Sequence, residues 1–350
     1  MRSRISQIAA LSSITMLTFI YAQQAQAHHS FSRFNQKEII EVEGELVSYR
    51  WRNPHITFKV RGTNDAGEEV VWDVEGHSVS ILRRTNASPE GLEVGDRIRI
   101  AAWATVRPST ELFAHNLLLP DGRELVMGAE GHARWSIGDV TGDKTEWLTA
   151  GTGSKDTGRE GIFRVWSTYL GEGSSFRTFW KHEYPLTKAG QQQLATWNPL
   201  TDTTSPGCSP KGMPLIMEQP YPLEFVRTGA DILIRLEEYD TVRTIHMNPE
   251  ATQAGDQHTL LGYSTGYWDD QTLVVSTVQV DFPYFDPKGT PQGSDPSFVE
   301  QFRVSDDGSR LLYELTATDE EVFTEPVTVT RDWVWRPGEE VKPYDCDEGE

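Results

Sequence analysis

Cysteine is nearly absent from this sequence: Cys208 and Cys346 are the only two in 350 residues. So sparse a supply excludes a disulfide-dense scaffold and a thiolate zinc centre, which need several closely spaced cysteines. Positive charge is also short, with 32 Lys and Arg against 52 Asp and Glu and a formal charge of −20. A chain this acidic repels phosphate backbones and anionic lipid surfaces, so nucleic acid and peripheral membranes are set aside as partners. Past the first two dozen residues no apolar run approaches the length needed to span a bilayer. There is no Gly-rich phosphate loop, dinucleotide fingerprint or His-Glu-x-x-His helix.

What is present begins at the N-terminus. Arg2 and Arg4, an apolar stretch from Ile8 to Tyr21 and the small pair Ala25-x-Ala27 have the three parts of a secretory signal, so residues 1–27 are expected to be removed and the protein to be periplasmic or secreted. The apolar stretch is interrupted by Ser12, Ser13, Thr15 and Thr18, which argues against a stable span. Cleavage there would leave His28 as the first residue. In an oxidising compartment the two cysteines, each in loop-like sequence, are expected to form one disulfide, Cys208–Cys346.

The remaining composition, with 29 Gly, 19 Pro and frequent aromatics, favours an all-β protein. Residues 28–127 alternate as three strands, a short helix at 78–84 with Ser78 as its N-cap, and two further strands. That order predicts an OB-like barrel. Residues 128–160, rich in Gly, Thr, Asp and Lys, read as a linker. Residues 161–350 carry a series of strand pairs, the clearest turning at Ser305-Asp306-Asp307-Gly308, and predict a larger antiparallel barrel or meander.

Three motifs of the first half, His28-His29-Ser30-Phe31, Asn53-Pro54-His55 and Leu119-Pro120-Asp121-Gly122-Arg123, resemble those of an exported bacterial family of unknown function. The resemblance implies a small secreted β-barrel and brings no activity with it. The second half resembles secreted bacterial β-rich proteins of unknown function in Gly212-Met213-Pro214, Pro220-Tyr221-Pro222, Arg243-Thr244-Ile245-His246-Met247 and Gly262-Tyr263-Ser264-x-Gly266-x-Trp268. Its layout is faintly similar to lipocalin-like barrels, which implies that Arg331 packs over Gly161-Ile162-Phe163.

Four histidines are candidate metal ligands. A free α-amine and its own imidazole chelate a metal, so His28 is the lead, with His29, His55 and His115 as further nitrogens; copper(II) suits such a set. Gly262-Tyr263-Ser264-Thr265-Gly266 matches a nucleophile-elbow pattern, but a β-branched run follows it where a helix is required. His246, close in sequence to Glu237, Glu238 and Asp240, is a candidate acid or base. Three functions remain open: a non-catalytic binder of a metal or small ligand, an enzyme with a site between the two domains using His246, and an envelope scaffold that binds another protein.

Overall fold

The structure is a computed structural model describing residues 33–347, apart from residues 65, 129–130, 136–137, 144–160, 171–173, 200 and 249–256. It is all-β, with two closed barrels, as the alternation of the sequence predicts. His28 and His29 lie outside the described residues.

The first barrel is built from β1 (Ile40–Arg50), β2 (Thr57–Thr63), β3 (Glu69–Glu75), β4 (Arg97–Ala104) and β5 (Glu111–Leu118). Strand β1 is antiparallel to both β2 and β4, and a parallel pairing of β3 with β5 closes the barrel. The alternation that predicts strands also decides which face turns inward: Val42, Leu46, Phe58, Val60, Ile98 and Ile100 are buried, while Glu43, Glu45, Lys59 and Arg61 between them are exposed. Gly44 faces Gly62 across β1 and β2. A Cβ at Gly44 would stand 2.2 Å from the Arg61 carbonyl oxygen, so only glycine allows this close approach. Helix α1 (Val79–Leu82) begins where Ser78 accepts a hydrogen bond from the Ile81 amide, the predicted cap. The short strands β6 (Glu124–Val126) and β7 (Val140–Thr141) extend the sheet from β5, so the chain beyond residue 127 still contributes to it.

The second barrel comprises β8 (Val165–Ser167), β9 (Leu223–Thr228), β10 (Asp231–Leu236), β11 (Thr241–His246), β12 (Tyr263–Asp269), β13 (Thr272–Val278), β14 (Ser297–Val304), β15 (Arg310–Thr318) and β16 (Val327–Trp335). It closes in the order β10 to β16, then β8 and β9. The β14–β15 hairpin turns at Gly308, whose φ of +71° suits glycine. Helix α2 (Lys188–Leu194) lies outside the barrel, with the Thr187 hydroxyl as its cap.

The interior is packed solid. Met213, with Ile216 and Met217 of the 3-10 turn Leu215–Glu218, joins Phe225, Phe298, Phe302, Leu315 and Trp333 in a single core. Within that core lies a buried ion pair. Arg243 binds the Glu300 carboxylate with both terminal nitrogens and donates to Ser264 Oγ and Thr277 Oγ1, while Tyr313 donates its hydroxyl to Glu300 (2.8 Å). Ser264, 2 % exposed, therefore belongs to this network, and strand β12 rather than a helix continues from it. The lipocalin-like expectation for Arg331 is corrected. The guanidinium over Phe163 is that of Arg227, at 3.7 Å. Arg331 lies over Trp333 and donates to the Met217 carbonyl (2.8 Å), because its strand position turns it inward.

The two barrels meet along a seam closed by the C-terminal tail. Arg83 beyond α1 pairs with Glu237 (2.6 Å), and Arg84 donates to the Pro220 carbonyl. Ile81 packs with Leu170, Tyr221 and Tyr344. Asn53 Nδ2 donates to Ser80 Oγ (3.1 Å) and to the Tyr344 carbonyl, and the Asn53 carbonyl accepts from the Asp347 amide (2.9 Å). Cys346 is joined to Cys208 in the expected disulfide, with the Cα atoms 5.8 Å apart. The tail is thus tied covalently to the second barrel and by hydrogen bonds to the first.

Candidate functional site

His55 owes its position to a strand break. Asn53-Pro54 cannot continue the ladder of β1, and the chain turns before β2 resumes. Its Nδ1 lies 3.0 Å from Glu75 Oε1 and 2.9 Å from the Gly76 carbonyl oxygen. Both partners are acceptors, so Nδ1 carries a proton and Nε2 is the basic nitrogen. Metal-binding imidazoles are commonly oriented in this way by a carboxylate or carbonyl on the far nitrogen. Burial opposes a charge on His55, but Glu75 and the Gly76 carbonyl outweigh it and raise its pKa.

Glu75 also holds the start of the described chain. Arg33 donates to Glu75 Oε2 (3.0 Å) and Glu111 Oε2 (3.1 Å), bridging the ends of β3 and β5 where the barrel closes. The next residue, Phe34, is 4 % exposed and packs on Phe113 at 5.6 Å between ring centres.

Two more imidazoles share this wall. His77 meets the Phe113 ring edge-on at 5.1 Å, and His115 lies 4.0 Å from Trp103 and 5.9 Å from Phe113. Burial lowers the pKa of His77 to about 3, helped by positive charge on His55 and His115, and burial lowers that of His115 to about 4. Both rings are neutral at physiological pH, the form that binds metals. His115 Nε2 is buried and has no hydrogen-bond partner among the described residues. His77 escaped the sequence reading because it follows a strand in a segment without pattern. Its one sequence signal is the Glu75-Gly76-His77 run at the end of β3.

The second barrel faces the same seam with charged groups. Lys211 opposes protonation of His55, and Arg177 opposes that of His77. Lys211 is bound to Glu238 at 2.8 Å, and Glu238 is 4 % exposed with its Oε2 unpartnered among the described residues. Burial raises the Glu218 carboxyl from its ordinary 4.5 to about 7, against the pull of Lys211. Cys208 lies three residues before Lys211 and Asn53 two before His55, so the disulfide and the tail tie together the two segments that carry these groups.

Among the described residues no three His, Cys, Asp or Glu side chains form a ready-made metal site. His55 and His115 are brought to one barrel wall, and His77 joins them; what His28 and His29 add lies outside the described residues. His246 sits elsewhere. Its Nδ1 is 3.0 Å from Asp231 Oδ2 and its ring stacks on Tyr263, at the end of β11 away from Asp240, which touches the tail. Five residues of extended strand, roughly 16 Å, separate it from the seam.

The structure is that of a two-barrel, all-β protein with His77 and His115 against Phe113 and His55 near His77 on its first barrel. Residues 17–111 match the model of a family of unknown function (DUF6152), a span that reaches the first residue of β5. No curated protein and no solved structure matches the chain. Among the described residues no helix is long and apolar enough to cross a membrane.

Proposed function

We propose that the protein is an exported, non-catalytic binder of one copper(II) ion on the first barrel, with His55 and His115 as protein ligands and His77 beside them. The chain that precedes Arg33 completes the set. The α-amine and imidazole of His28 supply two nitrogens after cleavage of the leader, and His29 is a further candidate. The observation that carries this reading is the double anchorage of Glu75, which orients His55 through Nδ1 and fastens Arg33 beside it. Four residues lie between His28 and Arg33, so five Cα steps give a reach of about 17 Å at full extension. The unpartnered Nε2 of buried His115 fits the same reading, since a buried ring nitrogen without a partner costs stability that a metal bond recovers.

The test is copper(II) titration of the exported chain, followed by native mass spectrometry and electron paramagnetic resonance. One copper per chain with nitrogen hyperfine structure is expected. His55→Ala and His115→Ala should each weaken binding about tenfold or more, as should one alanine added before His28. A chain beginning elsewhere than His28, or a copper site indifferent to all three changes, overturns the proposal.

A further inference from the structure

A second site is written on the outer face of the larger barrel. There the strand register places two adjacent rows of side chains side by side. One runs Thr272, Arg303, Leu312, Asp332 across β13, β14, β15 and β16; the other runs Gln301, Glu314, Thr330. The 3-10 turn Ser175–Thr178 overhangs them, pinned by Ser175, whose Oγ bonds the Asp332 carboxylate and accepts from the Asp332 amide (2.9 Å). Turn and rows enclose a groove of about 440 Å³, within the size range of small-molecule sites.

Several of the side chains lining this groove are uncommitted. Glu41, Glu43, Asp73 and Glu45 on the first barrel are all paired with Arg or Lys. In the groove, Gln301, Glu314, Thr272 and Thr330 have no side-chain hydrogen bond among the described residues, and Arg303 has only a 3.9 Å contact with Asp306. Asp332 is occupied by Ser175 and Arg310, and Arg331 by the Met217 carbonyl and Thr168. The charges without a close partner are therefore one guanidinium and one carboxylate, which cancel.

That inventory selects the ligand. An anion would meet Glu314 and a cation Arg303, each without a balancing partner. A peptide adding itself as a strand would have to displace the Ser175–Thr178 turn, since β16 pairs with β8 only at Val334 and Trp335 and Ser175 takes the Asp332 amide. An apolar ligand finds little beyond Leu312, because Tyr313 is buried in the core. A molecule whose groups both donate and accept satisfies all of these side chains at once: Arg303 donates, Glu314 accepts, and Gln301 and the threonines do both. We propose that this groove binds a neutral saccharide, its hydroxyls spanning Gln301, Arg303 and Glu314 and one face of a ring lying on Leu312.

The test is isothermal titration of the full exported chain with chitotriose, cellotriose and maltotriose, paired with saturation-transfer NMR. At least one should bind with Kd of about 1 mM or tighter, and Gln301→Ala and Glu314→Ala should each weaken it about five- to tenfold without moving Tm. Absence of binding by all three at about that concentration overturns the proposal. Binding that survives the double substitution Gln301→Ala/Glu314→Ala overturns it too, since the sugar then sits elsewhere. Neither readout depends on copper.

Discussion

Replacing Arg243 by Met should destabilise the second barrel severely, by about 3–5 kcal/mol, through the carboxylate left behind and not through the bond removed. The guanidinium and the Glu300 carboxylate are 1 % and 0 % exposed. Arg243→Met preserves most of the volume yet strips Glu300 of its counter-charge. Only Tyr313 (2.8 Å) and a long contact from Thr277 (3.4 Å) then remain to the carboxylate. Ser264 and Thr277 lose a donor as well, but they keep each other (2.9 Å), so their share is about 1 kcal/mol or less. The decisive comparison is a double-mutant cycle with Glu300→Gln, read by urea unfolding followed through tryptophan fluorescence. If the orphaned charge is the cost, Arg243→Met/Glu300→Gln should recover more than half of the loss. A loss below about 1 kcal/mol for Arg243→Met, or a double variant as unstable as the two single losses added together, would refute the reasoning.

The disulfide closes a span of 138 residues, so Cys208→Ser/Cys346→Ser should lower stability by up to about 5 kcal/mol on chain-entropy grounds. The same variant should speed hydrogen exchange at the residues around Asn53 and His55, which the tail holds; unchanged exchange there would show that the tail does not brace the seam. Glu218→Gln probes the raised carboxyl. A folded pKa of about 7 above an unfolded 4.5 means that the stability linked to Glu218 is fully present below 4.5 and is lost as pH rises through 7. The Gln variant should match the parent near pH 4.5 and exceed it at pH 8, by about 3 kcal/mol at most and less for a side chain that solvent partly reaches. Parallel pH–stability curves would rule this out. Ser78→Ala should cost about 1 kcal/mol by removing the cap of α1, measurable in the same denaturation assay.

Much of the architecture was legible because burial in a barrel leaves a period-two trace. Val42, Leu46, Phe58 and Val60 announce the inner face of the first barrel, and Ser78 and Gly308 mark a helix start and a hairpin turn through chemistry that acts over three or four residues. The cysteine pair followed from supply alone. The candidate site was legible only in part. His55 stood out beside a strand-breaking Asn-Pro, and His115 by its place in a strand, whereas His77 and Lys211 lie in segments with no period. The inward turn of Arg331 and the commitment of Ser264 to the Arg243–Glu300 network also escaped, because both are set by partners far away in the chain.

The sequence by itself determined the all-β class and the two-barrel division, since alternation and turn residues are local properties. Tertiary structure alone decided that β3 and β5 close the first barrel and bring Glu75 and Glu111 around Arg33. It alone laid the C-terminal tail against Asn53, and set Gln301, Arg303 and Glu314 side by side on one face. These depend on strand register and on contacts between residues dozens to hundreds of positions apart, where a slip of one residue turns a side chain to the opposite face.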